Sequence, residues 1–305
     1  MSEKTTDTTT DKATDTTAEK STDTSENMAV QMNGDTTMEA RTARLLGAEG
    51  IERLRSARVM VIGAGAVGGY ALEALTRSGI GSITIVDFDT FKESNKNRQI
   101  LALDSTMGRR KVDVARERIL DINPQCRVRP LEKFAHTDSF EELFGPAAWP
   151  DGNPDYVIDA IDSITPKVEL IAELSRRGLR TISCMGAALR TDPAQIRIGP
   201  LEKVINCPLA ATVRKHLRRR PGGLEALKTI CVYSTEPIVD LPPQAVDRDM
   251  TDPSETADRG RPRRALGSLP TLTGIFGLWI ANRVILDLVS DLQKQPPLSG
   301  GYLVL

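Results

Sequence analysis

The chain has 305 residues, of which 40% are hydrophobic, and this is enough for one large α/β domain or two small ones. The formal net charge of −1 gives no global signal for nucleic-acid binding, so any basic binding surface must be local. Four cysteines, Cys126, Cys184, Cys207 and Cys231, occur without a CxxC pair. This argues against a structural zinc site and a disulfide framework, and it predicts a reducing, cytoplasmic location.

The first 37 residues are rich in Thr, Asp, Ser and Lys and nearly lack apolar side chains. Such a segment buries too little surface to offset the entropy lost on ordering, so residues 1–37 are predicted to be a disordered tail. No secretory signal is expected, because the segment lacks an apolar core. Residues 38–305 are predicted to form one domain, which begins with a short helical segment that leads through Ile51 and Leu54.

A strand, a glycine turn and a helix are predicted next, and the rest of the chain is organised around them. Val59 to Ile62 is an apolar run typical of a strand buried on both faces. A GxGxxG turn follows, formed by Gly63, Gly65 and Gly68. Two of these glycines let the backbone turn tightly and approach a phosphate, and the third lets the helix pack closely on the strand. The free N–H groups at the start of the helix then face an anion.

The second strand of this unit, Ile83 to Val86, ends at an acidic residue. The carboxylate of that residue, Asp87, is placed to bind a ribose hydroxyl. The glycine turn, the flanking strands and this acid together predict a nucleotide site. The alternative is a tight turn of an α/β sheet that binds nothing.

Helices and strands alternate in the rest of the chain, after a polar loop rich in Asn, Lys and Arg. The predicted helices are Arg110–Ile122, Phe140–Phe144, Pro166–Arg177, Leu209–Arg220 and Gly274–Val289. The predicted strands are Val128–Leu131, Asp155–Ala160, Thr181–Cys184, Gln195–Ile198, which alternates as an exposed antiparallel strand does, and Ile230–Tyr233. Residues 237–264 are rich in Pro, Asp and Arg and are predicted to be a mobile loop. This order predicts an α/β, Rossmann-like fold: a mostly parallel sheet with helices on both faces and some antiparallel strands in the C-terminal half.

The last predicted helix approaches the length of a membrane span. Asn282, Arg283 and Asp287 interrupt its apolar sequence, so a helix packed on the sheet is predicted instead, with no membrane partner.

Four polar residues follow strands where an open α/β sheet binds its ligands. Asn95, Arg98 and Lys111 come after the second strand, and Asp162 follows the strand Asp155–Ala160. Cations at this edge suit a nucleoside triphosphate, and an acid suits Mg²⁺. The sequence therefore favours ATP with Mg²⁺ over NAD. Lys111 as a solvated charge, Arg98 as a structural ion-pair residue and Asp162 as a helix N-cap are the alternatives.

The motifs GAGAVGG, IVDFD, SNKNRQ, GRRKVDVA and DAIDS resemble those of the ubiquitin-activating-like adenylyltransferases, in the same order. The resemblance implies that the glycine loop and Asp87 hold the adenosine, that Asn95, Arg98 and Lys111 hold the phosphates, and that Asp162 holds Mg²⁺. It also implies a homodimer, because Arg44 in ARLLG matches an arginine that the family supplies from the other subunit.

Within that family, the second half is similar to the tRNA threonylcarbamoyladenosine dehydratases, in segments such as DPAQIRI, PLAATVRKHLR and VYSTEP. This similarity implies ATP-dependent cyclisation of threonylcarbamoyladenosine in tRNA, through adenylation of the threonyl carboxylate. Two departures are Cys207, where the family commonly has Asp, and the Pro- and Arg-rich insert before Ala265. The alternatives are an adenylyltransferase for the C-terminal carboxylate of a sulfur-carrier protein, against which the missing zinc cysteines weigh, and an NAD-dependent oxidoreductase.

A tRNA substrate needs a surface that binds phosphates, and the helix Leu209–Arg220 is the basic candidate. Its cations are Arg214, Lys215, Arg218, Arg219 and Arg220, with a solvated helix face as the alternative. Cys231 matches a family cysteine considered for sulfur relay, which implies cysteine-desulfurase or sulfur-acceptor partners. Burial of a small apolar thiol is the preferred interpretation of Cys231.

Overall fold

A seven-stranded sheet forms the centre of the computed structural model, which describes Met1 and residues 37–238, 246–251 and 264–292. Its strands are β1 (Arg58–Ile62), β2 (Ser82–Val86), β3 (Arg127–Leu131), β4 (Tyr156–Asp159), β5 (Thr181–Cys184), β6 (Ile196–Pro200) and β7 (Ile230–Ser234). Their spatial order is β3-β2-β1-β4-β5-β7-β6. All neighbours pair in parallel except β6, the antiparallel edge strand. The mostly parallel Rossmann-like sheet is thus confirmed.

Eight α-helices occur in the described residues: α1 (Ala40–Ser56), α2 (Gly68–Arg77), α3 (Lys111–Ile122), α4 (Phe140–Phe144), α5 (Ile164–Arg176), α6 (Pro208–Leu217), α7 (Gly223–Ala226) and α8 (Pro270–Leu288). They cover both faces of the sheet. Alternate residues of β1 show this: Val59 and Val61 pack in the core with α1, α2, α3 and α8, whereas Met60 and Ile62 pack with α4 and α5. Because both faces are buried, the central strands are apolar throughout.

The basic helix is shorter than predicted. The structure ends α6 at Leu217, and Arg218, Arg219 and Arg220 follow it in a turn. The next residues are Pro221 and Gly222, and Gly222 has a φ of 70°. A proline and a left-handed glycine do not continue a helix, so the chain turns and forms the short α7.

The predicted loop of residues 237–264 is only partly within the described residues. There, Val246–Thr251 forms β8, which pairs antiparallel with β9 (Arg264–Leu266), so part of the predicted loop is strand, and its mobility stays a prediction. The Pro and Arg residues that suggested a loop lie mainly outside these two strands. The predicted tail before residue 37 and the end of the predicted domain after residue 292 fall outside the described residues.

Among the described helices, only α8 is long and apolar enough to cross a membrane by length and composition. It packs against α2, β5 and β7. Phe276, Ile280 and Val284 are fully buried in this contact. A core helix of a globular domain passes the same length test, and this packing matches the prediction of a helix on the sheet.

Candidate active site

The glycine turn lies between β1 and α2, and two of its glycines are required by close contacts within the chain. Gly63 has a φ of 98°, and a Cβ there would lie 2.9 Å from the carbonyl oxygen of Ala160. A Cβ at Gly68 would lie 1.7 Å from the carbonyl oxygen of Gly63. These contacts let α2 begin directly against the end of β1.

Gly65 differs, because no close contact in the described part of the chain requires a glycine there. The nearest atom to a Cβ at this position would be Gln99 Nε2, at 3.9 Å. Gln99 is 7% exposed, and its Oε1 atom is buried without a hydrogen-bond partner in the described residues. A glycine without a close steric contact, next to an incompletely bonded buried amide, fits a loop that a phosphate approaches closely. Gln99 belongs to the quoted SNKNRQ motif, but sequence reasoning assigned it no role.

Asp87 lies at the end of β2, and its carboxylate holds the glycine loop in place. One oxygen accepts the N–H of Ala64 at 2.7 Å, and the other accepts the N–H of Asp89 at 2.8 Å. Burial raises the pKa of Asp87, although the nearby ammonium of Lys111 acts to lower it. Each oxygen keeps a further lone pair, so the carboxylate can accept a ribose hydroxyl while supporting the loop.

Lys111 is the first residue of α3 and is not a solvated charge, since it is only 5% exposed. Its Nζ lies 3.1 Å from Oδ2 of Asp89, and its backbone N–H donates to the carbonyl of Asp89 at 3.0 Å. The structure therefore brings Lys111 beside the acids that follow β2. Asp89 was not among the predicted site residues, although its position in the IVDFD motif could have identified it.

Asn95 and Arg98 lie in the turn after β2. Asn95 is 5% exposed, and its Oδ1 accepts the N–H of Lys92 at 3.1 Å, which fixes the side chain. Arg98 is half-buried and donates at 2.8 Å to the carbonyl of Ser94 and to Asn97 Oδ1. Both positions are thus held by neighbouring groups of the same turn.

Asp162 is exposed in the four-residue loop between β4 and α5. The N-cap of α5 is Ser163, whose side chain makes no capping hydrogen bond, so the alternative of Asp162 as N-cap was wrong. Because β2, β1 and β4 are neighbours in the sheet, Asp87, the glycine loop and Asp162 follow adjacent strand ends. No group of three or more His, Cys, Asp or Glu side chains that could hold a metal occurs in the part of the chain described.

A buried ion pair lies next to this loop and was not predicted. Asp159 in β4 and Lys167 in α5 are both 0% exposed, and Lys167 Nζ lies 2.6 Å from Asp159 Oδ2. Ser183 Oγ donates to the same carboxylate oxygen at 2.6 Å. The sequence signal was Asp159 itself, because a carboxylate inside the apolar strand sequence DYVIDA needs a buried partner of opposite charge.

An aromatic pair stands beside Asp87. The rings of Phe88 and Phe134, which follow β2 and β3, meet edge to face with centroids 4.8 Å apart. Both side chains are half-buried. Half-buried rings at this edge of the sheet provide an apolar surface on which a base can pack.

The predicted basic surface is smaller than the sequence indicated. Arg214 does not belong to it, because its Nη1 donates to the carbonyls of Leu201 and Val204 at 3.2 and 2.6 Å. Arg220 lies 3.5 Å from Glu169. Lys215, Arg218 and Arg219 are exposed.

Arg44 is exposed in the first half of α1, ahead of a kink at Gly47, which has a φ of 77°. Its neighbour Leu45 is 82% exposed, so an apolar side chain stands next to it at the surface.

The thiol of Cys231 in β7 is fully buried, and burial raises its pKa. Burial also raises the pKa of Cys184 to about 12. Neither thiol has the exposure or the lowered pKa of a reactive cysteine.

Comparison with known proteins identifies a family and several similar chains. The family model described as "ThiF family" matches residues 39–304. The tRNA threonylcarbamoyladenosine dehydratase of Bacillus subtilis is 36% identical over 255 residues, covering 83% of this chain and 95% of that protein. The crystal structure of the Escherichia coli tRNA N6-threonylcarbamoyladenosine dehydratase TcdA in complex with ATP is similar, with a TM-score of 0.70 and 33% identity, over 85% of this chain and 96% of that one. The molybdopterin-synthase adenylyltransferase of Salmonella typhimurium is 34% identical, but over 47% of this chain and 54% of that protein.

Proposed function

The chain belongs to the ThiF family, and from this premise we propose that it is an ATP-dependent tRNA threonylcarbamoyladenosine dehydratase. The observation that carries the proposal is the extent of the likeness. The B. subtilis dehydratase matches this chain along 83% of its length, through the second half that distinguishes members of the family. The likeness to the molybdopterin-synthase adenylyltransferase extends over only 144 residues.

The chemistry explains why ATP is needed. A carboxylate is a poor electrophile, because the leaving group would be oxide. Transfer of AMP from ATP to the threonyl carboxylate releases pyrophosphate and gives an acyl-adenylate with a good leaving group. The neighbouring carbamoyl group then attacks the acyl carbon and displaces AMP. The net result is ring closure with loss of water, driven by cleavage of ATP.

The residues of the crevice suit these steps. The missing side chain at Gly65 would let the phosphates approach the backbone, and Lys111 and Arg98 would offset the negative charge that develops on them. Asn95 would add a hydrogen-bonding amide, and Asp87 would accept a ribose hydroxyl. The half-buried Phe88 and Phe134 rings would pack against the adenine.

Mg²⁺ fits the carboxylate present, although the described residues form no complete metal cage. This ion commonly binds through one or two carboxylates together with substrate phosphates and water. Asp162 supplies one such carboxylate at the end of β4. When bound, the ion neutralises charge on the phosphates during AMP transfer.

We further propose that the enzyme is a homodimer in which Arg44 reaches the active site of the partner subunit. The exposed Leu45 beside it supports a protein contact at this part of α1. Lys215, Arg218 and Arg219 would contact the tRNA backbone. A cytoplasmic location and sulfur-acceptor partners stay predictions.

The deciding experiment is mass spectrometry of nucleosides from tRNA incubated with the protein, ATP and Mg²⁺. We expect a product lighter than threonylcarbamoyladenosine by one water, formed only when ATP is present. Threonylcarbamoyladenosine left unchanged, together with formation of an adenylate on a sulfur-carrier protein, would establish the alternative. Stabilisation by NAD but not by ATP would favour an oxidoreductase.

A further inference from the structure

The ion pair of Asp159 and Lys167 joins three elements behind the active-site crevice. The carboxylate belongs to β4, the ammonium to α5, and the hydroxyl that completes the group, Ser183, to β5. Lys167 Nζ donates to Asp159 Oδ2 at 2.6 Å and to Ser183 Oγ at 3.1 Å. All three residues are 0% exposed. Neither charge can therefore touch a ligand in the crevice.

Stability alone does not account for such a pair. Removing two charges from water is costly, and well-packed apolar residues of similar volume are often as stable or more so. A buried pair is better explained by an arrangement that it specifies. Here the carboxylate oxygen of Asp159 that does not take part in the ion pair bonds the loop that contains Asp162.

That loop is tied to the pair through Asp159. The second oxygen of Asp159, Oδ1, accepts the N–H of Ile161 at 3.0 Å. At the other end of the loop, the N–H of Lys167 donates to the carbonyl of Ser163 at 3.1 Å, which is the first i→i−4 bond of α5 and does not depend on the Lys167 side chain. Asp162 lies between these two points.

The Ser163 side chain makes no capping hydrogen bond at the start of α5, and its Oγ instead donates to Asp162 Oδ1 at 3.4 Å. The bond from Ile161 to Asp159 fixes the backbone before Asp162, and the first turn of α5 fixes the backbone after it. Outer groups that orient a metal ligand in this way commonly change metal affinity 10- to 100-fold when they are replaced.

We propose that Asp159 and Lys167 are positioning residues that hold the Asp162 carboxylate in the place where it binds Mg²⁺. The proposal rests on the Mg²⁺ role of Asp162 within the proposed function. It assigns no chemical step to either residue: their effect passes through the backbone of the loop.

The test replaces both charges together, since removal of one alone leaves an unpaired buried charge. Asp159→Leu with Lys167→Met removes the ion pair and the acceptor for Ile161. Asp159→Asn with Lys167→Met removes the ion pair but keeps an acceptor oxygen. The matched control is Tyr156→Phe, which removes a buried hydrogen bond from the same strand to Asp287, on the side of α8.

Two readouts do not depend on turnover. Calorimetric titration with ATP at a series of Mg²⁺ concentrations gives the half-saturating Mg²⁺ concentration, and hydrogen exchange reports the amide of Ile161. We expect the half-saturating Mg²⁺ concentration of the Leu/Met variant to rise by at least about tenfold. Its Ile161 amide should exchange faster than in wild type. The Asn/Met variant should lie between it and wild type. Both double variants should bind ATP without Mg²⁺ as wild type does. The Tyr156→Phe protein should match wild type in both readouts.

Asp162→Asn separates failure of the positioning role from failure of the Mg²⁺ role of Asp162. If this variant loses the Mg²⁺ dependence of ATP binding while the folded double variants keep the wild-type half-saturating concentration, the positioning role is overturned and the proposed function stands. If Asp162→Asn itself binds Mg-ATP as wild type does, the Mg²⁺ role fails, and the positioning role fails with it. Should the Leu/Met protein not fold, the Asn/Met protein decides by the same criterion.

Discussion

Gly68 begins α2 so close to Gly63 that a Cβ on Gly68 would lie 1.7 Å from the Gly63 carbonyl oxygen. The first and third glycines of the turn thus make the fold possible, whereas a Cβ at Gly65 would make an ordinary contact, 3.9 Å from Gln99 Nε2. The three glycines of one motif are therefore separable by experiment.

Alanine substitutions should divide the motif into structural and ligand-binding positions. Gly68→Ala should destabilise the protein by about 2 kcal/mol or more, because backbone atoms must move to accept the methyl group. Gly65→Ala should keep the wild-type unfolding temperature and lose ATP affinity. Thermal unfolding and ATP titration distinguish the two. Equal loss of stability at both positions would show that Gly65 is also required by the fold.

Complementation tests the shared active site. Arg44→Ala and Asp162→Asn should each be folded and nearly inactive. After subunit exchange, about half of the dimers contain both chains, and each of these has one site with both residues, so about a quarter of wild-type activity should return. The control is a mixture held under conditions that prevent exchange. No recovery after confirmed exchange would place Arg44 in its own subunit's site or outside any site.

Charge reversal tests the tRNA surface. Arg218→Glu with Arg219→Glu should raise KM for tRNA several-fold and lower the salt dependence of binding by about one unit of slope per lost phosphate contact, because fewer counterions are released. Binding of ATP should be unchanged.

Arg116→Glu serves as the matched control for Arg219→Glu, since Arg116 is an exposed arginine in the middle of α3. Each of these single substitutions changes the net charge by the same amount, which is half the change in the double variant, and only Arg219→Glu should raise KM for tRNA. Equal effects of the two on KM would mean that the overall charge, rather than this surface, governs tRNA binding.

Cys231 is expected to be dispensable for turnover. Burial raises its thiol pKa, so little thiolate forms near neutral pH. Cys231→Ala should cyclise the tRNA nucleoside at a rate within about twofold of wild type, and iodoacetamide should label Cys231 only after denaturation. A folded variant without activity would instead give the thiol a chemical role.

Glu173 provides a test of stability against pH. Hydrogen bonds from Arg176 and from Arg177 lower its pKa from 4.5 to about 2. The folded state therefore favours the carboxylate, and the resulting stability is fully present above pH 4.5 and is lost as the pH falls towards 2. The free-energy difference between wild type and Glu173→Gln, measured by denaturant unfolding, should shrink across that window. A free-energy difference that does not change with pH would contradict the lowered pKa of Glu173.

The fold could be predicted largely because its signals are local. Apolar runs identified β1, β2 and β4, and glycine spacing located the turn before α2. The end of α6 was misjudged because a run of cations was read as helix, although Pro221 and Gly222 marked the stop. Residue type alone could not show that Arg214 bonds backbone carbonyls while Arg219 is exposed.

The site was less accessible to sequence reasoning, because its supporting contacts join distant segments. Lys167 reads as an ordinary surface charge on a helix, and only the packing of α5 on β4 and β5 makes it a buried partner of Asp159. The position of Asp162 could be predicted from the strand that precedes it. The groups that hold its loop could not, since no spacing rule relates Lys167 to Ser183.

Asp87 holds the glycine loop and is proposed to bind the ribose as well, and this combination limits how the sugar preference of the enzyme could be redesigned. Its carboxylate oxygens already accept the N–H groups of Ala64 and Asp89, so an exchange meant to admit an altered ribose would also release the glycine loop. Variants selective for a modified nucleotide are better sought around Gly65 and Gln99, since a Cβ at Gly65 would meet no atom closer than 3.9 Å in the described residues. In this protein, orthogonal nucleotide use has to be engineered from the phosphate side of the crevice.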